Sequence, residues 1–241
     1  MQIKIKRLVI SDLHLGGGFT RIDCLLNFIS KYEFEELVLL GDIVDFWRMD
    51  KKVRWRKKYN KFIEKIIGIA RKKKVIWVIG NHDEYMRKFV GEEVFRIKIL
   101  DEYESDGILF IHGDKFDNLI KKSKWLYYLG DWAYFLIQKS NHWLKYVLWL
   151  INKSPYSLAK IIKQKAKKAT NFLNDFYGNA EKYANLKCVH TIVCGHTHIS
   201  EHKNLDGINY YNTGDWVESG TGLIEYLNGK LELVDIDDIS R

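Results

Sequence analysis

Leu37-Val38-Leu39-Leu40-Gly41-Asp42-Ile43-Val44-Asp45 decides how this chain folds. Four consecutive apolar residues leave no polar face, so they read as a strand covered on both sides. A glycine and carboxylates then break the run at its carboxyl end. The same pattern recurs along the chain. Leu8-Val9-Ile10 leads to Asp12-Leu13-His14, and Val75-Ile76-Trp77-Val78-Ile79 leads to Gly80-Asn81-His82-Asp83. Ile108-Leu109-Phe110-Ile111 ends at His112-Gly113-Asp114, and Thr191-Ile192-Val193-Cys194 at Gly195-His196-Thr197-His198. Helix-like segments fall between the early strands, from Cys24 to Tyr32 and from Val53 to Lys74, the latter with Phe62, Ile66, Ile69 and Ala70 on one side. Apolar strands separated by helices imply an α/β sheet covered on both faces, and ligands of such sheets gather at the carboxyl ends of strands.

The motifs supply carboxylate, imidazole and amide groups, the donors that hard-to-borderline divalent metals take. Asp12 and His14 stand two residues apart, so on an extended strand end both point to one side and reach one metal. Gly41 removes a Cβ beside the site. Asp42 has two carboxylate oxygens and so can bridge two metals roughly 3.5–4 Å apart, the spacing of two-metal hydrolases. Asn81, His112, His196 and His198 complete two spheres of nitrogen and oxygen donors. Taken singly, Asp-x-His, Gly-Asp and Asn-His-Asp are ordinary turn compositions. Five motifs in order on successive strand ends are not.

At 241 residues, 29% charged and 46% hydrophobic, the chain reads as one globular domain, residues 1–241, with no disordered character. Its net charge of +8 fits nucleic acid, an anionic membrane face or a multiply charged phosphate substrate. The basic residues form no RNA- or DNA-binding motif, so no specific nucleic-acid partner is expected. Cys24, Cys188 and Cys194 show no paired spacing, which points to buried thiols in a reducing compartment. No apolar run reaches the ~18 residues of a membrane span, and the N-terminus lacks a signal-peptide core. A cytoplasmic protein follows, with attachment to the inner membrane face left open.

The motif set resembles the calcineurin-like metallophosphoesterase superfamily, whose pattern is D-x-H, GD-x-x-D, GNH-D/E, H and GH-x-H. The resemblance spans residues 5–112 and 188–235 and implies a four-layer α/β/β/α sandwich. It also implies that Asp12, His14, Asp42 and His198 hold one metal while Asp42, Asn81, His112 and His196 hold the other. His82 would contact the phosphate and donate a proton, oriented by Asp83. The chain is similar in particular to the branch containing UDP-2,3-diacylglucosamine pyrophosphatases of lipid A synthesis. It shares with that branch HGD at residues 112–114, a helical insert after it, and Asn212-Thr213-Gly214-Asp215-Trp216-Val217-Glu218-Ser219. That branch commonly carries arginine at the position of His82. Two divalent ions are implied, manganese first, with iron or zinc as alternatives suited to the same donors. Together the residue types imply direct attack on phosphorus by metal-activated water.

Residues 115–183 read as the inserted helical cap, with Ser154-Pro155 opening a helix. Trp125 to Ile137 and Trp143 to Ile151 are rich in aromatic residues, which suits either a greasy pocket or ordinary helical packing. Lys160, Lys163, Lys167 and Asn171 recur at helical spacing, either facing a diphosphate or forming a solvated face. Apolar walls beside cations favour a lipid-linked phosphate or pyrophosphate such as UDP-2,3-diacylglucosamine, with peripheral contact to anionic membrane. The alternatives are a phosphodiesterase acting on nucleotides or nucleic acid, and a non-catalytic binding module that keeps the fold.

Overall fold

In a computed structural model, residues 2–17, 19–49, 55–117 and 172–236 are described. The chain divides into two compact units, Met1–Asp114 with Glu181–Arg241, and Lys115–Ala180. The first unit holds β1 (Ile3–Ile10), α1 (Ile22–Ser30), β2 (Tyr32–Leu40), α2 (Phe46–Met49), α3 (Lys57–Ala70) and β3 (Lys74–Val78). A 3-10 turn over Glu84–Phe89 precedes the short strands β4 (Glu93–Val94), β5 (Ile97–Leu100), β6 (Tyr103–Ser105) and β7 (Ile108–Phe110). After the insert come β8 (Thr191–Cys194), β9 (Glu201–Leu205), β10 (Ile208–Asn212), β11 (Thr221–Glu225) and β12 (Leu231–Asp235). Residues 172–186 are helical. Within the second unit the rings of Phe116 and Phe176 meet edge to face at 5.6 Å, and Asn179 donates to the Phe116 carbonyl at 2.9 Å.

The strands form a seven-stranded sheet, ordered β12-β11-β1-β2-β3-β5-β4, and a five-stranded sheet, ordered β6-β7-β8-β10-β9. β1, β2 and β3 run parallel in the first, and β7, β8 and β10 run parallel in the second. Alternation along each strand assigns the two faces. Leu8, Ile10, Leu37, Leu39 and Val75 pack with Leu25 and Phe28 of α1 and Phe62 and Ile66 of α3. Val9, Val38, Leu40, Ile76 and Val78 turn the other way and meet Ile108, Phe110 and Val193 of the second sheet. Both faces are therefore dry, which is why the sequence shows continuous apolar runs and why an α/β sandwich with paired sheets results.

Three expectations change. β2 begins at Tyr32, where the sequence suggested the end of a helix, because Tyr32-Glu33-Phe34 pair with Ile3-Lys4-Ile5 of β1. Its Glu33 and Glu35 face solvent, so this half of the strand lacks the apolar signature of the other half. The long helix ends at Ala70, and Lys74 already pairs with Glu36 in the sheet. Of the three free thiols only Cys194 is buried, while Cys188 is exposed in the turn after the helical residues.

A buried arginine lies between the sheets of the first unit. Arg7 on β1 is 1% exposed, and its guanidinium pairs with Glu36 at 2.6 Å and with Glu225. It also donates to Ser105 at 3.0 Å and Asp106 at 3.1 Å on the β6–β7 turn, with its Cζ 4.8 Å above the Phe110 ring. The arginine thus ties the two sheets together at the strand ends remote from the motif loops.

Candidate metal centre

Loops leaving β1 and β2 run side by side. Asp12 N–H donates to Gly41 O at 3.1 Å, His14 N–H to Asp42 O at 2.9 Å and Leu15 N–H to Ile43 O at 2.9 Å. In the second sheet Gly195 N–H donates to His112 O at 3.0 Å. Five expected ligands, Asp12, His14, Asp42, His196 and His198, adopt positive φ of 53°, 48°, 53°, 69° and 59°. This left-handed backbone is sparsely populated by side-chain-bearing residues and is tolerated where the surroundings impose it. It also corrects the reason for convergence of Asp12 and His14. They are not extended, and they meet because two left-handed residues curl the loop inward.

Among the described residues the donor atoms gather in three groups, each within 4.8 Å: Asp12 with His14 and His198, Asp42 with His112 and His196, and His14 again with Asp45 and His82; the first two contain the expected ligands. Asp12 Oδ1 lies 3.2 Å from His198 Nε2 and 3.8 Å from His14 Nε2, and the two imidazole nitrogens are 3.2 Å apart. Asp42 Oδ2 lies 3.3 Å from His112 Nε2 and 3.8 Å from His14 Nε2. That single oxygen faces both groups, whereas Oδ1 accepts the His82 N–H at 2.8 Å. Of the two Asp42 oxygens, Oδ2 is thus the one turned toward imidazoles of both groups.

The chemistry of this pocket fits divalent cations. Asp12 Oδ1, both side-chain polar atoms of Asn81 and His112 Nε2 are buried without a hydrogen-bond partner. Leaving such atoms unpaired costs ~1–3 kcal/mol each, and cations would satisfy the oxygens and the imidazole. His112 Nδ1 donates to Leu40 O at 3.0 Å, so in the neutral ring the lone pair falls on Nε2, the atom facing Asp42. The motif glycines make room. A Cβ on Gly41 would meet the His112 ring at 2.3 Å, one on Gly80 would meet Asp42 Oδ1 at 2.2 Å, and one on Gly195 would meet Asp12 Oδ2 at 2.4 Å.

Burial opposes charge on all these groups, yet the carboxylates prevail at two imidazoles. Asp42 holds His112 well above its ordinary pKa, and Asp12 pushes His198 up to about 9. At His14, burial and the His82 charge lower the pKa to about 4. The same carboxylates would attract a metal cation, which would have to displace the protons from His112 and His198.

His82 is 3% exposed, with its Nδ1 3.0 Å from Asp45 Oδ1 and its Nε2 3.9 Å from Asp42 Oδ2. Trp47 stacks on the ring at 4.3 Å, and His14 meets it edge-on at 4.6 Å. Asp83, the orienting residue that the resemblance implies, makes its hydrogen bonds elsewhere. Asp83 accepts the backbone N–H of Ile43 at 3.0 Å and of Val44 at 2.7 Å, and the Trp77 indole N–H at 3.3 Å. It holds the β2 loop, while Asp45 holds the imidazole. Asp45 was legible in the sequence as the last residue of Gly41-Asp42-Ile43-Val44-Asp45, three positions past Asp42. Lys160, Lys163, Lys167 and Asn171, the expected substrate contacts, lie outside the described residues. So do both aromatic stretches and Pro155.

Comparison with known proteins places these residues in a wider context. The sequence model of the calcineurin-like phosphoesterases matches residues 5–200. UDP-2,3-diacylglucosamine hydrolase of Vibrio parahaemolyticus is 25% identical over 243 residues, covering 90% of this chain and 92% of its own. Among solved structures, vacuolar protein sorting 29 of Cryptosporidium parvum aligns over 95% of both chains with a TM-score of 0.44 and 12% identity. The Pseudomonas putida nuclease MPE aligns over 95% of this chain and 87% of its own, with a TM-score of 0.41 and 14% identity.

Proposed function

The chain belongs to the calcineurin-like phosphoesterase family and is a metal-dependent phosphoesterase; from that premise we propose that it uses two divalent ions to hydrolyse a pyrophosphate or phosphate bond in a lipid-linked substrate. The observation that carries the dinuclear reading is Asp42 Oδ2, which faces imidazoles of both donor groups. Asp12, His14, Asp42 and His198 would hold one ion, and Asp42, Asn81, His112 and His196 the other. The mixed imidazole, carboxylate and amide set suits manganese, iron or zinc, and the family resemblance puts manganese first. When bound, such ions supply Lewis-acid charge to a phosphoryl oxygen and lower the pKa of a coordinated water.

The chain's own residues do the rest. His82 is clamped by Asp45, Trp47 and His14 with Nε2 directed toward Asp42, where it can hydrogen-bond a phosphoryl oxygen and hand a proton to the departing group. Burial works against a charged ring, but the Asp42 and Asp45 carboxylates raise its pKa and favour the protonated donor. Asp83 keeps the Ile43–Val44 backbone in register, so Asp42 and Asp45 stay on the same side.

The lipid substrate rests on the Vibrio parahaemolyticus relative, a UDP-2,3-diacylglucosamine hydrolase, and on the aromatic and basic composition of residues 125–171. Peripheral contact with anionic membrane, on the cytoplasmic side, accords with the net charge of +8. No helix among the described residues is long and apolar enough to cross a membrane. The test is product analysis by mass spectrometry with Mn²⁺ on UDP-2,3-diacylglucosamine, its deacylated counterpart, simple lipid phosphates, a cyclic nucleotide and single-stranded DNA. Cleavage of the acylated sugar nucleotide with a KM well below that of the deacylated one is expected. Equal kinetics on both, or turnover confined to the cyclic nucleotide or DNA, would reject the lipid reading.

A further inference from the structure

The segment Asn212-Thr213-Gly214-Asp215 has no part in the chemistry described above, yet it lies directly behind the Asp12 group. Ser11 Oγ is 2.5 Å from Asp12 Oδ2, 2.6 Å from Thr213 Oγ1 and 3.1 Å from Gly214 O. Each hydroxyl has one proton to give. A hydroxyl facing a carboxylate at 2.5 Å makes the stronger, charge-assisted bond, so the Ser11 proton goes to Asp12. The 2.6 Å contact then requires Thr213 to donate to Ser11, since two oxygens without a proton between them would repel. Asp12 Oδ2 also accepts the His196 backbone N–H at 3.1 Å. With Oδ2 filled on both sides, only Oδ1 is left to face His14 and His198, and that atom has no hydrogen-bond partner. Trp216 N–H donates to Asp12 O at 3.2 Å, which fixes the same residue from its backbone.

We infer that Thr213 and Ser11 form a two-hydroxyl relay that makes Asp12 a ligand through one oxygen only, and thereby sets the affinity of the Asp12–His14–His198 position without setting that of its neighbour. The neighbouring group has its own supports, His112 on Leu40 O and Asp42 on the His82 N–H. Ser11 and Thr213 are positioning residues. They act through Asp12 and touch neither substrate nor the reacting atoms. The inference rests on the dinuclear reading proposed above.

The experiment titrates metal-free full-length protein with Mn²⁺ by calorimetry, with metal content checked by elemental analysis. Wild type should take up two ions. Ser11→Ala should weaken one of them about 10–100-fold, the range for loss of an outer hydrogen bond to a ligand, and leave the other within experimental error. Thr213→Val should weaken the same ion, Thr213→Ser should keep wild-type affinity, and the Ser11→Ala/Thr213→Val double variant should be no worse than Ser11→Ala alone, because the hydroxyls act in series. Thermal unfolding of the metal-free variants identifies any that are misfolded, and the Thr213→Ser against Thr213→Val difference then carries the test. Two ions on wild type with both weakened equally, or with additive losses in the double variant, would overturn the relay alone. A wild type that binds one ion would overturn the relay and the dinuclear reading together.

Discussion

Asp42 and His82 divide the labour at the residue scale. Asp42 Oδ2 stands among His112, His14 and His82 nitrogens at 3.3, 3.8 and 3.9 Å, so removing it should cost both ions. Asp42→Ala is expected to lose bound Mn²⁺ and to fall by orders of magnitude in rate, as read by elemental analysis beside turnover. An Asp42→Ala protein that keeps two ions at full activity would exclude the bridging role. His82 contributes no atom to either of the two proposed metal spheres. His82→Ala should retain metal while kcat falls ~10²–10⁴-fold, the usual range for a lost proton donor. Asp45→Asn should move in the same direction by a smaller factor, because the imidazole keeps Trp47 and His14 on its faces. If Asp83→Asn rather than Asp45→Asn reproduced the His82→Ala phenotype, the orienting role assigned to Asp45 would be withdrawn.

At the scale of elements, glycines separate positions where backbone and ligand must nearly touch from positions where nothing is near. Gly195 leads into the His196 loop, and a Cβ there would lie 2.4 Å from Asp12 Oδ2 and 2.6 Å from Ser11 Oγ. Gly195→Ala should therefore displace Asp12 and weaken Mn²⁺ binding, checked by the same titration. Gly68 stands in the interior of α3 with open space around its Cα. Gly68→Ala should raise stability by ~0.5–1 kcal/mol, the helical preference of alanine over glycine, and leave metal binding untouched. A Gly195→Ala variant with unchanged affinity would show that the loop can shift away, against the close packing seen here.

For the molecule as a whole, the Arg7 cluster is the charged joint between two otherwise apolar sheets. Burial alone would raise the Glu36 pKa, but Arg7, with Tyr103 and Lys74, outweighs burial and holds it below its usual value of 4.5. A carboxylate whose pKa is lowered on folding contributes stability above its unfolded value and loses that contribution as pH falls through the folded one. Denaturant melts of wild type should thus steepen in pH dependence below about pH 4.5, and Glu36→Gln should flatten that slope. Arg7→Met, which removes the buried guanidinium and leaves Glu36 only Lys74 and Glu225 only Lys6 as cationic partners, should destabilise the fold at neutral pH by up to ~3–5 kcal/mol. A Glu36→Gln protein with an unaltered acid limb would assign acid sensitivity to other carboxylates.

The sequence by itself determined the five apolar strand segments that end in motifs, the order of the motif loops and the candidate donors. A dry strand must be continuously apolar, and a loop that holds metals must interrupt it with Gly, Asp, Asn or His. The polar half of β2 was illegible because its glutamates face water and its pairing with Ile3–Ile5 is a long-range fact. Which oxygen of Asp42 faces both donor groups, which carboxylate meets the His82 ring and how Thr213 reaches Asp12 through Ser11 depend on contacts between loops 28 to 202 residues apart, beyond any periodicity. Asp45 and Asp83 illustrate the limit. Both are acidic members of the motifs, and only the tertiary contacts show that one meets the imidazole and the other the backbone. Local chemistry chose the residue types; closure of two sheets on one another chose their partners.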